Sequence, residues 1–135
     1  MQIMPQAGDL TFSFYKMAEI KIKRIYQPAE DSDGFRILVD RLWPRGVRKE
    51  AIANGQWLKE IAPSTELRQW FHHNEAADRW TLFKHKYLTE LKDNEAADIL
   101  RDLAEKHGTI TLLYSVPDEQ HNHAVILKDF LENSQ

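Results

Sequence analysis

The sequence predicts an α/β fold, a small two-layer or three-layer-like domain in which helices pack a mainly parallel sheet of three or four strands. Three observations lead there. Residues 35–40 (FRILVD) and 109–114 (TITLLY) are short apolar runs with the density of strands buried on both faces. Between and after them lie segments with apolar residues at helical spacing, and strands alternating with helices favour a parallel sheet over a bundle or a sandwich. At 135 residues the chain has the size of one domain.

Residues 1–16 hold neither period for long and read as an N-terminal appendage, dispensable for the fold, ahead of a single domain at 17–135. The alternating Phe12, Phe14 and Tyr15 leave docking on the body as open as disorder. Ile20 and Ile22 alternate, Ile25 and Tyr26 close the run, and Pro28 ends a first strand. PAEDSDG is then a polar loop. QWLKEIA (56–62) is ambiguous between a strand and a half-turn. Ser64 has the chemistry of an N-cap for a short helix carrying Leu67, Trp70 and Phe71. Trp80, Phe83, Tyr87, Leu88 and Leu91 define one amphipathic helix; Ile99, Leu100 and Leu103 define a second, stopped by Gly108. HAVILKDFL (123–131) gives a last helix. The strands at 36–40 and 109–114 should be parallel, neighbours or one strand apart, with their following loops opening on one edge.

With 18 basic and 21 acidic side chains the net charge is −3. That balance argues against a nucleic-acid partner, as does the lack of a recognisable nucleic-acid-binding motif. The chain has no cysteine, so disulfides, thiolate zinc sites and thiol nucleophiles are excluded, and a reducing compartment fits. No stretch approaches the roughly 18 apolar residues of a membrane span, and the N-terminus lacks the pattern of a secretion signal. A cytoplasmic location is the expectation. Neither a phosphate-binding glycine loop, a zinc-protease helix nor a serine nucleophile elbow occurs, so no cofactor or metal is implied.

Three polar clusters remain. Asp40, Arg41, Trp43, Pro44, Arg45 and Gly46 follow the first strong strand, at the strand end where open α/β sheets bind ligands. The structural alternative for them is an Asp40–Arg41 pair pinning the loop, with Trp43 in the core. Tyr114, Ser115, Asp118, His121, Asn122 and His123 follow the second strong strand. Ser115 or Asp118 offers a cap for the last helix, whose first turn would present free N–H groups to an anion. His121 is a general acid or base candidate because imidazole titrates near neutral pH, and Asn122 can orient a ligand. His121 and His123 stand two apart, a poor spacing for a shared metal. The third cluster is Lys59, Ser64 and Arg68. Here Arg68 either reinforces an anion at a helix N-terminus or pairs with Glu66 or Glu60.

The strings RILVDRLWPRGV (36–47), WLKEIAPSTELRQWF (57–71) and TLLYSVPDEQHNHAVILKDFL (111–131) resemble the YeaO-like branch of the domain of unknown function 488 family, over residues 20–131. The resemblance implies a small α/β protein with no established activity. Many members of the wider family place a Cys-His-Arg triplet where this chain runs Gln120-His121-Asn122-His123, so a thiol mechanism does not carry over.

The leading expectation is an enzyme or binding protein for a small anionic ligand, phosphorylated or nucleotide-like. Asp40 and His121 are the acid/base candidates. Arg41, Trp43, Arg45, Lys59, Ser64, Arg68, Tyr114, Asp118 and Asn122 are the ligand-binding ones. Hydrolysis or group transfer suits these roles, and so does binding without turnover. The alternative is a non-catalytic module that binds nucleic acid through Arg41, Arg45, Arg48, Lys49 and Trp43, or binds protein through surplus aromatics.

Overall fold

The structure, a computed structural model, describes residues 17–134. The expectation for residues 1–16 lies outside the described residues. Four strands, β1 (Glu19–Arg24), β2 (Phe35–Leu38), β3 (Gln56–Trp57) and β4 (Thr109–Tyr114), form one sheet in the order β1-β4-β2-β3. Every pairing is parallel. β2 and β4 are neighbours, the first of the two arrangements expected of runs rich enough for burial on both faces, with Ile37 opposite Leu112 and Leu38 opposite Leu113.

β2 is shorter than the sequence run, but the pairing continues past it. Val39 N–H donates to the Leu113 carbonyl and Leu58 N–H to the Leu38 carbonyl. The ambiguous 56–62 segment is a two-residue strand followed by a 3-10 turn, Lys59–Ile61. Leu58 and Ile61 enter the core from it.

Helices α1 (Thr65–His73), α2 (Arg79–Lys92) and α3 (Glu95–His107) fill the connection from β3 to β4, and α4 (His123–Asn133) follows β4. Ser64 caps α1, its hydroxyl accepting from Leu67 N–H, and Gly108 ends α3 at a φ of 77°. Side-chain alternation along the strands divides the interior. Ile20, Ile37, Val39, Ile110 and Leu112 face a core shared with Leu67, Tyr87, Leu100 and Leu127, so all four helices contribute to the same face. Leu38 and Leu113 point the other way, with Ile25, under Trp43, Val47, Ile52 and Trp57. The architecture is two layers, with the segment between β2 and β3 covering part of the second face.

The rest of that second face is polar. Asp33, almost fully buried, accepts from Lys23 Nζ at 2.7 Å, Arg36 Nη1 at 2.6 Å and Glu30 N–H at 3.1 Å. Its carbonyl accepts from the Thr111 hydroxyl in the sheet. Gly34, next along, brings the chain so close to β4 that a Cβ there would collide with the Thr109 carbonyl.

Candidate functional site

Because β2 and β4 are parallel neighbours, the loops after them open on the same edge, and there a cleft of about 820 Å³ lies between these loops and the facing ends of α1 and α2. Asp40, Arg41, Trp43 and Arg45 line it from the first loop, Asp118, His121 and Asn122 from the second, and Arg68 from α1. Both acid/base candidates therefore share one concave surface. Lys59, Ser64 and Tyr114 do not line it. Lys59 is exposed over the Trp57 ring. Ser64 donates its hydroxyl to Glu90 at 2.6 Å while capping α1, so its hydrogen bonding is spent on joining α1 to α2. Tyr114 is buried in the helix-side core, and burial, with Glu119 adding, pushes its hydroxyl above the ordinary range.

The four arginines of the cleft are held in different ways. Arg41 donates from Nε to the Pro63 carbonyl and from Nη2 to the Ala62 carbonyl, which pins the loop to the approach of α1. It does not pair with Asp40. Arg79 donates to the carbonyls of Phe71 and Asn74 and lies over the Phe71 ring. Among the described residues, the guanidinium groups of Arg45 and Arg68 have no hydrogen bond or ion pair; neither Glu66 nor Glu60 reaches Arg68.

The imidazole beside Asp40 is that of His123, not His121. Its Nε2 lies 2.9 Å from the Val39 carbonyl and 3.4 Å from Asp40 Oδ1. A carbonyl can only accept, so Nε2 carries a proton. Asp40 also gives its own carbonyl to the Trp57 indole N–H. Trp43 is half-buried, donates to the Val47 carbonyl and meets Trp57 edge-on, so it serves the second core while bordering the cleft.

The 115–122 loop is organised by Asp118. Its Oδ1 accepts from the N–H groups of Gln120 and His121, which hold the carboxyl below its ordinary range. Its Oδ2 faces His121 Nδ1 at 3.1 Å. The helix cap is neither Ser115 nor Asp118. Buried Asn122 caps α4, accepting from Val125 N–H and donating to the Asp118 carbonyl. The Asp118 carboxylate is instead engaged by its own turn, accepting from the Gln120 and His121 N–H groups.

One wall escaped the sequence reading. Trp80 meets Phe71, Phe83 and His121, with ring centroids 6.2, 5.8 and 5.1 Å apart. The pattern assigns Trp80 and Phe83 only to a helix face, and nothing in it shows that α2 begins at the mouth of the cleft. His72 and Arg79 are further lining residues not foreseen, and His123, named in the second cluster without a ligand-binding or catalytic role, lines the cleft as well. No cluster of metal-ligating side chains occurs among the described residues. Chemically, the cleft offers two free guanidinium forks beside an aromatic wall, a combination suited to an oxyanion.

The chain is 50% identical over 115 residues to the uncharacterised protein YeaO of Escherichia coli strain K12, covering 84% of this chain and 97% of that one. It is 37% identical over 112 residues to uncharacterised proteins of Mycobacterium tuberculosis strain H37Rv and Mycobacterium bovis, covering 83% of this chain and 92% of each. No solved structure matches. A family model described as the inactive DUF488-N3 subclade matches residues 19–135. With that match over the whole described sheet and helices, and a half-identical relative of nearly equal extent, the chain belongs to the domain of unknown function 488 family as a YeaO-like member.

Proposed function

We propose that the cleft binds a small anionic compound, phosphorylated or nucleotide-like, without turning it over. The observation that carries this reading is the pair Arg45 and Arg68, whose guanidinium groups border the cleft with no partner among the described residues. Guanidinium forks match the geometry of phosphate and carboxylate oxygens. Binding without turnover is favoured because the imidazole beside Asp40 is committed to a backbone carbonyl, and His121, the other acid/base candidate, is engaged by Asp118 and Trp80. The description of the matching family as an inactive subclade agrees with it. Among the described residues no helix is long and apolar enough to cross a membrane, and we place the protein in the cytoplasm, as one domain over 17–135.

Calorimetric titration of phosphate and nucleoside phosphates against wild type and Arg68→Ala tests the reading. Wild type should bind at least one of these ligands, and Arg68→Ala should lose about tenfold in affinity or more at an unchanged melting temperature. Phosphorus NMR of the mixtures should show the ligand intact. A wild type that binds none of them ends the anion reading, and release of free phosphate would restore Asp40 and His121 as catalytic candidates.

A further inference from the structure

We infer that the ligand of this cleft is a nucleoside monophosphate, its base seated on the aromatic wall and its phosphate at Arg68. The inference rests on the anion-binding reading and narrows it. An inorganic oxyanion needs donors and nothing else, yet one side of the cleft is built from rings. Trp80 stays half-buried although Phe71, Phe83 and His121 all meet it, and its neighbours on the cleft surface are the small, exposed Ala76 and Ala77. That arrangement leaves room beside an aromatic cluster, which suits a planar ring stacked against it.

The charge and the rings are adjacent. Arg68 and Phe71 stand three residues apart on α1, so their side chains leave the same face about 5–6 Å from each other. Phe71 in turn meets Trp80. Charge and ring wall are thus within one helical turn of each other, so a single ligand carrying both a phosphate and a planar base can engage both. The second free guanidinium, Arg45, is exposed on the loop after β2 and borders the same cleft, a further donor for the phosphate. A cleft of about 820 Å³ has room for base, sugar and phosphate together, whereas a bare phosphate would leave most of it empty.

The test compares adenosine 5′-monophosphate, cytidine 5′-monophosphate, ribose 5-phosphate and inorganic phosphate on the wild-type protein at fixed ionic strength, read by calorimetry and tryptophan fluorescence. At least one nucleotide should bind about tenfold more tightly than ribose 5-phosphate, because stacking on an aromatic side chain contributes on that order, and should change the fluorescence. Trp80→Leu should abolish that advantage while leaving ribose 5-phosphate within about twofold of wild type. Arg68→Ala should weaken nucleotide and sugar phosphate alike, by about tenfold. Ribose 5-phosphate binding as tightly as both nucleotides overturns the inference and leaves the anion reading standing; this comparison needs no variant and so is independent of how Trp80→Leu folds. Binding of none of the four overturns both.

Discussion

His123 and Asp40 meet across the carboxyl edge of the sheet, with the imidazole Nε2 at 3.4 Å from the carboxylate and 2.9 Å from the carbonyl of Val39. One ring thus ties the first residue of α4 to the end of β2. Both residues line the cleft. Removing the ring leaves the carbonyl of buried Val39 without that donor. His123→Ala should therefore lower stability by about 1–3 kcal/mol, measured by urea unfolding. His123→Gln, which keeps a donor, should recover part of the loss. An unchanged His123→Ala midpoint would show that the ring ties nothing.

Arg41 and Arg68 line the same cleft but should respond in opposite ways. Arg41 satisfies two carbonyls, those of Ala62 and Pro63, where the chain turns into α1. Arg41→Ala should cost about 1–3 kcal/mol, the penalty of buried acceptors left unmade. The Arg68 guanidinium has no hydrogen bond or ion pair among the described residues, and Arg68→Ala should stay within about 0.5 kcal/mol of wild type. Thermal melts of the two variants side by side check the contrast. Equal losses would show that Arg68 has a structural role.

What the sequence made legible follows from how locally each feature is encoded. β2 and β4 are readable because burial on both faces forces continuous apolar runs, and α1 because Ser64 is a local cap. β3 is not, since Gln56 and Trp57 are a strand only through their pairing with Ile37 and Leu38. Asn122 and Asp118 are both capping residue types in one loop, and only the path of the chain decides that Asn122 takes the helix while Asp118 takes its own turn. The shared edge of the site is a consequence of parallel pairing and was foreseeable. The aromatic wall was not, because Trp80 reaches His121 from forty-one positions away, and no periodicity carries that contact.

Gly34 and Gly46 offer a matched pair of backbone tests. Both have positive φ, 66° and 76°. At Gly46 an added Cβ meets nothing within 4 Å, so Gly46→Ala should cost only the backbone strain, about 1–3 kcal/mol. At Gly34 the same strain is joined by a collision with the Thr109 carbonyl, a backbone atom of β4 that cannot move without disturbing the sheet. Gly34→Ala should be the more damaging of the two. Urea midpoints in the reverse order would contradict the close approach of β4 at that position.

Asp33 should govern the pH limits of stability. Burial alone would raise its pKa, but the Lys23 ammonium, the Glu30 N–H and the Arg36 guanidinium outweigh burial and hold the carboxyl below its ordinary 3.8. Its contribution is therefore complete above the unfolded-state value and is lost as pH falls through the lower, folded-state value. Lys23 behaves inversely. Burial opposes its charge, yet the hydrogen bonds to Asp33 and Glu30 prevail and raise it above 10.5, so its contribution holds below that value and is lost as pH rises through the folded one. Between these limits the cluster stabilises the second face in full. Asp33→Asn leaves Lys23 and Arg36 facing a neutral amide and should cost about 3–5 kcal/mol near neutral pH, as breaking a buried pair does. It should also flatten the acid limb of the profile, because the variant has no carboxyl left to protonate there. Urea unfolding of wild type and Asp33→Asn across the acid and alkaline ranges checks both. A variant with an unchanged acid limb would assign the acid sensitivity to other carboxylates.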